Sequence, residues 1–428
     1  MREFLVRLLQ RVLKKLAQFT IWRYRPGIVG VTGNVGKTST KLAIAAVLSA
    51  ERKVRWSRGN LNNELGLPLT ILGNWGPDEL HMVSREQPAG SRRLGKIIFW
   101  TSVIAKSLHR LILPKRADYP EILVLEYGAD RPGDIKYLLN LARPNVSVIT
   151  AIGDLPVHVE FFNGPQELAR EKARLIECLP SAGFAILNFD DPTVMALKDR
   201  TRGHVMTFGF NRGADMQVSN FENRTEGERP VGIAFKLQYG GHSVPVKIDG
   251  ALGRAQAYAA AAASCVGIVF GMNLLRIAEA MRDYIPADSR MQLLAGIKET
   301  YIINDAYNAS VKSMESALET LRDLPAKRRV AILGDMLEID PYAIEAHERI
   351  GRAAAQAADI LVTIGPRAKF IAAAAMKARM RKGNIYSFDT ADEARQTVQS
   401  LIKKGDLIAI KASRAMHLEK IVEEIKAF

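Results

Sequence analysis

Residues 29–40 read Val-Gly-Val-Thr-Gly-Asn-Val-Gly-Lys-Thr-Ser-Thr. Small and apolar residues run into a glycine-punctuated turn. The turn ends in Gly36-Lys37-Thr38-Ser39, and apolar residues at helical spacing follow (Leu42, Ala43, Ala46, Val47, Leu48). The pattern is strand, phosphate loop, helix. Backbone N–H groups across Thr32, Gly33, Asn34, Val35 and Gly36 would cradle phosphate oxygens. Lys37 would reach the β- and γ-phosphates, and the Thr38 hydroxyl, with Ser39 beside it, would meet Mg²⁺. The strict G-x-x-x-x-G-K-[ST] pattern needs glycine at position 31, where Val31 stands, so the loop is of the T-G-x-x-G-K-T form. Such a loop commits the chain to a parallel α/β sheet with a nucleotide phosphate at a strand's carboxyl end.

A chain of 428 residues has room for two or three domains. Its two cysteines, Cys178 and Cys265, stand in apolar contexts. They make neither a zinc ribbon nor a disulfide framework, which suits a reducing, cytoplasmic setting. Neither a secretory leader nor a membrane-spanning run is expected. The net charge of +15 is unevenly placed. Residues 1–26 carry seven Lys/Arg against one Glu, and residues 85–116 carry eight against one, so the rest of the chain is nearly neutral. Such local excess points to an anionic partner. Nucleic acid is disfavoured, because the basic segments lack aromatics arranged as stacking platforms.

Residues 2–22 read as an amphipathic helix, with Phe4, Leu5, Leu8, Leu9, Val12, Leu13 and Leu16 on one face. Arg2, Arg7, Arg11, Lys14 and Lys15 take the other, and Trp22 follows. Two readings stand: a helix lying on anionic lipid, or one docked on the protein's own body or a partner. Residues 92–113 form a second basic, apolar stretch, interrupted by Lys106, His109 and Arg110, which should lie on a surface. Strands are predicted at 122–125, 146–150 and 184–187, ending toward Glu126, His158 and Asn188-Phe189-Asp190-Asp191. Residues 204–248 read as an antiparallel piece and 254–285 as an Ala-rich helical region. After a linker at Pro286-Ala287-Asp288-Ser289, strands at 301–304, 330–333, 360–363 and 407–410 make a second α/β unit. The expected fold is therefore α/β: a basic helix over 1–26, a P-loop-type parallel-sheet ATPase domain over 27–287 with a basic insertion at about 75–118, and a smaller Rossmann-like domain over 288–428.

Eight motifs stand in order: T-G-N-V-G-K-T-S (32–39), G-N-L-N-N-E-L-G-L-P (59–68), L-E-Y-G-A-D-R-P-G-D-I (125–135), H-V-E-F-F (158–162), E-K-A-R-L-I (171–176), N-D-A-Y-N-A-S (304–310), L-G-D-M-L-E (333–338) and K-A-S-R (411–414). Together they resemble the Mur ligase family, the ATP-dependent amide ligases of peptidoglycan precursor synthesis, and most closely its D-alanyl-D-alanine-adding branch. The resemblance covers residues 27–72 and 120–428. It implies ATP with Mg²⁺ or Mn²⁺, and catalytic roles for Lys37, Glu126, His158, Lys172 and Arg290. Thr38, Glu126, His158 and a carbamylated Lys172 would be the metal-site residues. Arg290, Asp305 and Asn308 would complete the nucleotide site, with Arg254 and Gln256 toward adenine. Asn60, Asn62, Asn63, Tyr307, Lys411, Ser413 and Arg414 would meet substrate. His347 and the Gly334-Asp335-Met336 turn belong to the same pattern without an assigned role.

The chemistry agrees. Amide formation from a carboxylate requires activation as an acyl phosphate, then attack by an amine through a tetrahedral intermediate. The protein must align phosphate, metal and both substrates and need supply no nucleophile of its own. The sequence departs from the resemblance in three places. The family's N-terminal, UDP-gripping domain is expected to be absent, since the resemblance starts at residue 27. The 75–118 stretch looks inserted. The adenine-side G-x-H-N pattern reads Gly253-Arg254-Ala255-Gln256. The expected function is an ATP-dependent ligase joining a peptidoglycan-type peptide to an amino acid or D-alanyl-D-alanine, in the cytoplasm and at the inner membrane face, on a lipid-linked or otherwise UDP-independent substrate. A folylpolyglutamate-, cyanophycin- or amidating-type ligase and a catalytically idle nucleotide-binding scaffold remain as alternatives. The oligomeric state is not legible.

Overall fold

The computed structural model describes residues 2–59, 61–81, 93–112 and 118–427. The first unit runs α1 (Arg2–Tyr24), β1 (Gly27–Thr32), α2 (Lys37–Ser49), β2 (Val54–Trp56), α3 (Gly66–Leu72), α4 (Pro77–His81), α5 (Arg93–Ile112), β3 (Ile122–Glu126), α6 (Asp134–Leu139), β4 (Val146–Ile149), α7 (Pro165–Glu177), β5 (Phe184–Asn188), α8 (Pro192–Met195), β6 (His204–Gly209), β7 (Met216–Glu226), β8 (Arg229–Tyr239), β9 (His242–Asp249), α9 (Arg254–Val269) and α10 (Leu274–Ala280). The second runs β10 (Gln292–Gly296), β11 (Thr300–Asn304), α11 (Val311–Asp323), β12 (Arg329–Gly334), α12 (Ala343–Ala357), β13 (Ile360–Ile364), α13 (Ala368–Lys377), β14 (Ile385–Phe388), α14 (Ala391–Leu401), β15 (Leu407–Lys411) and α15 (Glu419–Ile425).

The first sheet has nine strands in the order β2-β3-β1-β4-β5-β6-β7-β8-β9. Pairing is parallel from β2 through β7 and antiparallel only across β7-β8-β9. The antiparallel piece is thus shorter than the sequence suggested, because β6 pairs in parallel with β5 at Phe184↔His204 through Asn188↔Phe208. The central strands are apolar runs because both faces are covered. Val29, Val31, Val124 and Val148 pack with α2 and α9 on one face, where Ala259–Ala263 are all buried. Ile28, Leu123 and Leu125 pack with α1, α3, α5 and α6 on the other.

α1 settles on the body, with Leu13, Leu16, Ala17 and Thr20 buried. The two faces read from its sequence are not the faces it uses. Leu13 and Leu16 turn inward, whereas Phe4, Leu5 and Leu8, assigned to the same side, face outward. The helix is apolar on two opposite sides, and the body covers one of them.

The second sheet has the order β10-β11-β15-β12-β13-β14, parallel except for β10 against β11. The two units share buried surface: Val157, Val159 and Leu252 lie in one apolar cluster with Met291, Ile303 and Val311. Polar links cross the same boundary at Lys312–Asp191 (3.2 Å), Arg349–Asp154 (2.6 Å) and His158–Glu338 (2.8 Å). The carboxyl ends of β1, β3 and β4 therefore face the carboxyl ends of β11 and β15 across a cleft lined from both units.

Candidate active site

β1 lies between β3 and β4, where the winding direction reverses and open α/β sheets leave a crevice. The loop after it is tightly held. Thr32 Oγ1 donates to Tyr127 O at 2.9 Å, and Asn34 N donates to Ala151 O at 2.6 Å. Gly33 has φ 146°, and a Cβ there would stand 2.0 Å from Thr150 Oγ1, so no other residue fits. Gly36, at φ 85°, turns the chain into α2.

Two lysines meet at this loop, Lys37 half-buried and Lys172 buried. Lys37 Nζ donates to Gly33 O at 2.9 Å and to Asn34 O at 3.3 Å. Lys172, carried by α7, donates to the same Gly33 oxygen at 3.1 Å. Burial, with the charge of Lys37 adding to it, lowers the Lys172 ammonium to about 7. Burial likewise lowers Lys37 from its ordinary value, against the opposing pull of Glu126.

Glu126 ends β3 and is buried. Its Oε2 accepts from Thr38 Oγ1 at 3.1 Å and from Lys41 Nζ at 3.1 Å, and its Oε1 accepts from Asn62 Nδ2 at 3.3 Å. Burial alone would raise this carboxyl, but Lys41, Lys37 and Arg290 hold it down to about 2. Lys41 was not singled out in the sequence. It is fully buried, paired with Glu126, and also donates to Gly59 O at 2.9 Å. Its signal was its place four residues after Lys37, on the same face of α2.

His158 starts a 3₁₀ turn in the left-handed conformation, φ 68°. Its Nδ1 stands 2.8 Å from Glu338 Oε2 and its Nε2 stands 3.5 Å from Asp130 Oδ1. The close contact with the His158 ring lowers the Glu338 carboxyl from its ordinary value. Neither carboxylate was assigned a role from the sequence, although Glu338 lies in the quoted L-G-D-M-L-E stretch.

The opposite wall comes from the second unit. The Arg290 guanidinium lies over the Tyr307 ring at 4.1 Å, and Arg414 Nη1 donates to Tyr307 Oη at 3.0 Å. Asp305 accepts from Lys411 Nζ at 2.5 Å and from Met291 N at 3.1 Å. Lys37, Thr38, Glu126, Lys172 and His158 line one side of a cleft of about 900 Å³. Arg290, Tyr307, Asn308, Ser413 and Arg414 line the other. A smaller neighbouring cavity takes in Ser39, Gln256, Met291, Asp305 and Asn308.

The remaining expected residues fall as follows. Val35 pairs with Ala151 in an isolated bridge beneath the loop. Asn62 reaches the cleft through Glu126. Asn63 instead accepts from Leu65 N and Gly66 N, which starts α3. Asn60 lies outside the described residues. The Arg254 guanidinium is turned onto the rings of Phe210 (5.0 Å) and Phe221 (5.9 Å), not into the cleft. Gln256 accepts from Tyr284 Oη at 2.7 Å and donates to Arg290 O at 3.0 Å. Lys411 is buried and holds Asp305 and the carbonyl of Asn308 (2.8 Å), and Ser413 Oγ accepts from Leu337 N at 2.9 Å. His347 is buried, accepting from Met336 N through Nε2 and bonded to Ala343 O through Nδ1, so it shapes the turn that carries Glu338. Asp190 and Asp191 are fasteners. Asp190 accepts from Phe210 N, Asn211 N and Tyr258 Oη. Asp191 caps α8 and accepts from Ile152 N, Gly153 N and Lys312.

Among the described residues no three His, Cys, Asp or Glu side chains form a ready-made metal site. A magnesium site of the phosphate-loop kind does not require one: a loop hydroxyl, one carboxylate and the nucleotide's phosphates suffice. Thr38 Oγ1 and Glu126 Oε2, 3.1 Å apart at the head of the cleft, fit that description.

The sequence matches known proteins in two blocks: the pattern of the Mur ligase middle domain over residues 105–267, and that of the Mur ligase glutamate ligase domain over residues 289–414. The UDP-N-acetylmuramoyl-tripeptide–D-alanyl-D-alanine ligase of Bacillus subtilis is 29% identical over 415 residues, covering 96% of this chain and 79% of that protein. The crystal structure of MurF ligase from Thermotoga maritima in complex with ADP superposes with a TM-score of 0.76 at 25% identity, over 97% of this chain and 83% of that one. Folylpolyglutamate synthase of Mycobacterium tuberculosis shares the fold at a TM-score of 0.66 and 18% identity, over 97% and 95% of the two chains. A cleft that gathers phosphate-binding groups from two α/β units, in a chain with these relatives, is that of an ATP-dependent ligase forming amide bonds. The chain belongs to the Mur ligase family and carries the family's middle and C-terminal domains in order.

Proposed function

We propose that this ligase joins a D-alanyl-D-alanine-type dipeptide to the terminal carboxylate of a peptidoglycan-precursor peptide. The observation that carries the reading is the pairing of the two walls: Lys37, Thr38, Glu126 and Lys172 face Arg290, Tyr307 and Arg414 across one cleft. The Bacillus subtilis relative, aligned over 96% of this chain, supports the choice of substrate. In this reading residues 27–287 form the central ATP-binding domain and 288–428 the C-terminal domain.

The peptide carboxylate attacks the γ-phosphorus of ATP, and ADP leaves. The dipeptide amine then attacks the acyl phosphate carbon, the tetrahedral adduct expels inorganic phosphate, and the amine gives up its proton. Lys37 and Arg290 offset the charge that develops on the phosphoryl oxygens. Mg²⁺ held by Thr38 and Glu126 would neutralise phosphate charge. Lys172, buried and lowered to about 7, is suited to take up CO₂ as a carbamate and become an anionic group in the cleft that His158 also lines. Asp305 and Asn308 hold the nucleotide's ribose side, and Asn62, Tyr307 and Arg414 the peptide. We place the reaction in the cytoplasm, at the inner membrane face.

Phosphate release across a substrate panel tests this. Turnover is expected with UDP-linked or lipid-linked muramoyl tripeptide plus D-alanyl-D-alanine, and not with tetrahydrofolate plus glutamate. Turnover with the folate pair alone, or ATP binding without turnover on any pair, would overturn it.

A further inference from the structure

α1 and α5 pack side by side against the same face of the first sheet. Their inner residues, Leu13, Leu16 and Ala17 on α1 and Phe99 and Val103 on α5, are buried in one cluster. The Tyr24 hydroxyl donates to Arg110 O at 3.4 Å, which joins their C-terminal ends. Each helix also has an outer face. Of the sixteen exposed large apolar side chains among the described residues, ten lie on these two helices. Scattered single apolar residues need no explanation, but a concentration of this kind marks a contact surface.

The two outer faces differ in kind. On α1, Phe4, Leu8, Arg11, Lys15, Phe19 and Trp22 are all exposed and recur at spacings of three and four, forming one stripe opposite the buried one. Apolar residues occupy its ends and two cations its middle. Among the described residues Arg11 and Lys15 have no ion-pair partner. On α5 the outward residues are Ile97, Ile98, Thr101, Ala105, Leu108 and Ile112, an uncharged strip. Lys96, Lys106 and Arg110 stand to the side, and Lys106 lies 5.4 Å from the Trp75 ring centroid. Neither helix is long and apolar enough to cross a bilayer.

We propose that α1 and α5 together form a peripheral docking surface for anionic lipid, in which α5 supplies the apolar wedge and α1 the cationic stripe with Trp22 at its rim. Charge decides for lipid over a protein partner or a second copy. The two basic segments hold nearly all of the chain's +15, and a second copy would set their cations against each other. An indole at the edge of a basic apolar helix is placed as the headgroup region favours. The surface connects to the site through α3, which packs against both helices and follows the loop whose Asn62 holds Glu126. This deepens the membrane-face placement but rests on the two helices alone, so its failure would leave the ligase chemistry standing.

The test is co-sedimentation of the full chain with phosphatidylglycerol/phosphatidylcholine vesicles and with phosphatidylcholine vesicles. Binding is expected to the anionic vesicles only, weakening steeply between 0.1 and 0.5 M salt. Arg11→Glu/Lys15→Glu should weaken it about thirtyfold or more. Ile98→Ser/Ile112→Ser should weaken it at least about tenfold while leaving the melting temperature unchanged, because both side chains are exposed. Brominated lipid should quench wild-type fluorescence more than that of Trp22→Phe. Absence of wild-type binding to anionic vesicles would overturn the proposal, as would full binding by either double variant. Self-association by sedimentation velocity, abolished by Ile98→Ser/Ile112→Ser and unaffected by vesicles, would assign the surface to a second copy instead.

Discussion

Lys37 and Lys172, 135 residues apart in the chain, donate to a single oxygen, the carbonyl of Gly33, at 2.9 and 3.1 Å. Lys172 is buried, which disfavours its charged form, and the neighbouring Lys37 ammonium repels it. The system relieves this by letting Lys172 lose its proton near neutrality, at about 7.

A neutral buried amine reacts with CO₂; an ammonium does not. Turnover should therefore fall about tenfold per pH unit below about 7 and level off above it, as the neutral fraction of Lys172 does. Added bicarbonate should raise the rate most on the acid side. Native mass spectrometry of the intact protein above pH 8 should find one CO₂ adduct that a Lys172→Ala variant lacks. A profile flat from pH 6 to 8 would contradict this role.

The Lys41–Glu126 pair is buried, and its two halves should be unequal to their sum. Removing one partner by Lys41→Met or Glu126→Gln strands a charge and should cost roughly 3–5 kcal/mol in urea unfolding. The double variant should recover much of that loss. Simple additivity of the two losses would show that the pair is not coupled in the folded protein.

Glu126 also sets an acid limb. Its folded value of about 2 lies below the ordinary 4.5, so its stabilisation is fully present above about 4.5 and is lost as pH falls toward 2. That difference is worth on the order of 3 kcal/mol. Chemical denaturation at pH 5 and pH 3 should show a steeper decline for the wild type than for Glu126→Gln. Equal slopes would place the acid sensitivity elsewhere.

The boundary contact Arg349–Asp154 is partly exposed at both ends, so it should bias domain closure by no more than about 1 kcal/mol. Asp154→Asn is expected to lower kcat/KM up to about fivefold and to leave the melting temperature unchanged. Glu338→Gln, which touches His158 at the cleft, should act on kcat more strongly.

Much of this arrangement was legible in the sequence because its causes are local. The central strands are buried on both faces, so Ile122–Leu125, Val330–Leu333 and Leu407–Ile410 read as unbroken apolar runs. The edge strands β10 and β14 are half-covered and carry no such run, and they were not expected. α3 hides inside a stretch that reads as a loop, because Pro68 sits in its first turn, where proline is tolerated. Lys41 escaped because a helix lysine ordinarily faces water. Its burial follows from Glu126, a partner 85 residues away that periodicity cannot reveal. The outward face of α1 escaped for the opposite reason, since nothing in a doubly apolar helix says which side the body will cover.

The central claim is that this cleft makes an acyl phosphate, and oxygen transfer tests it most directly. Peptide substrate labelled with ¹⁸O in the reacting carboxylate should, with ATP and D-alanyl-D-alanine, give inorganic phosphate carrying one carboxylate-derived oxygen for each amide formed. Lys37→Ala should reduce that transfer on the order of a hundredfold or more. Phosphate released without label while amide accumulates, or full transfer in the Lys37→Ala variant, would contradict it.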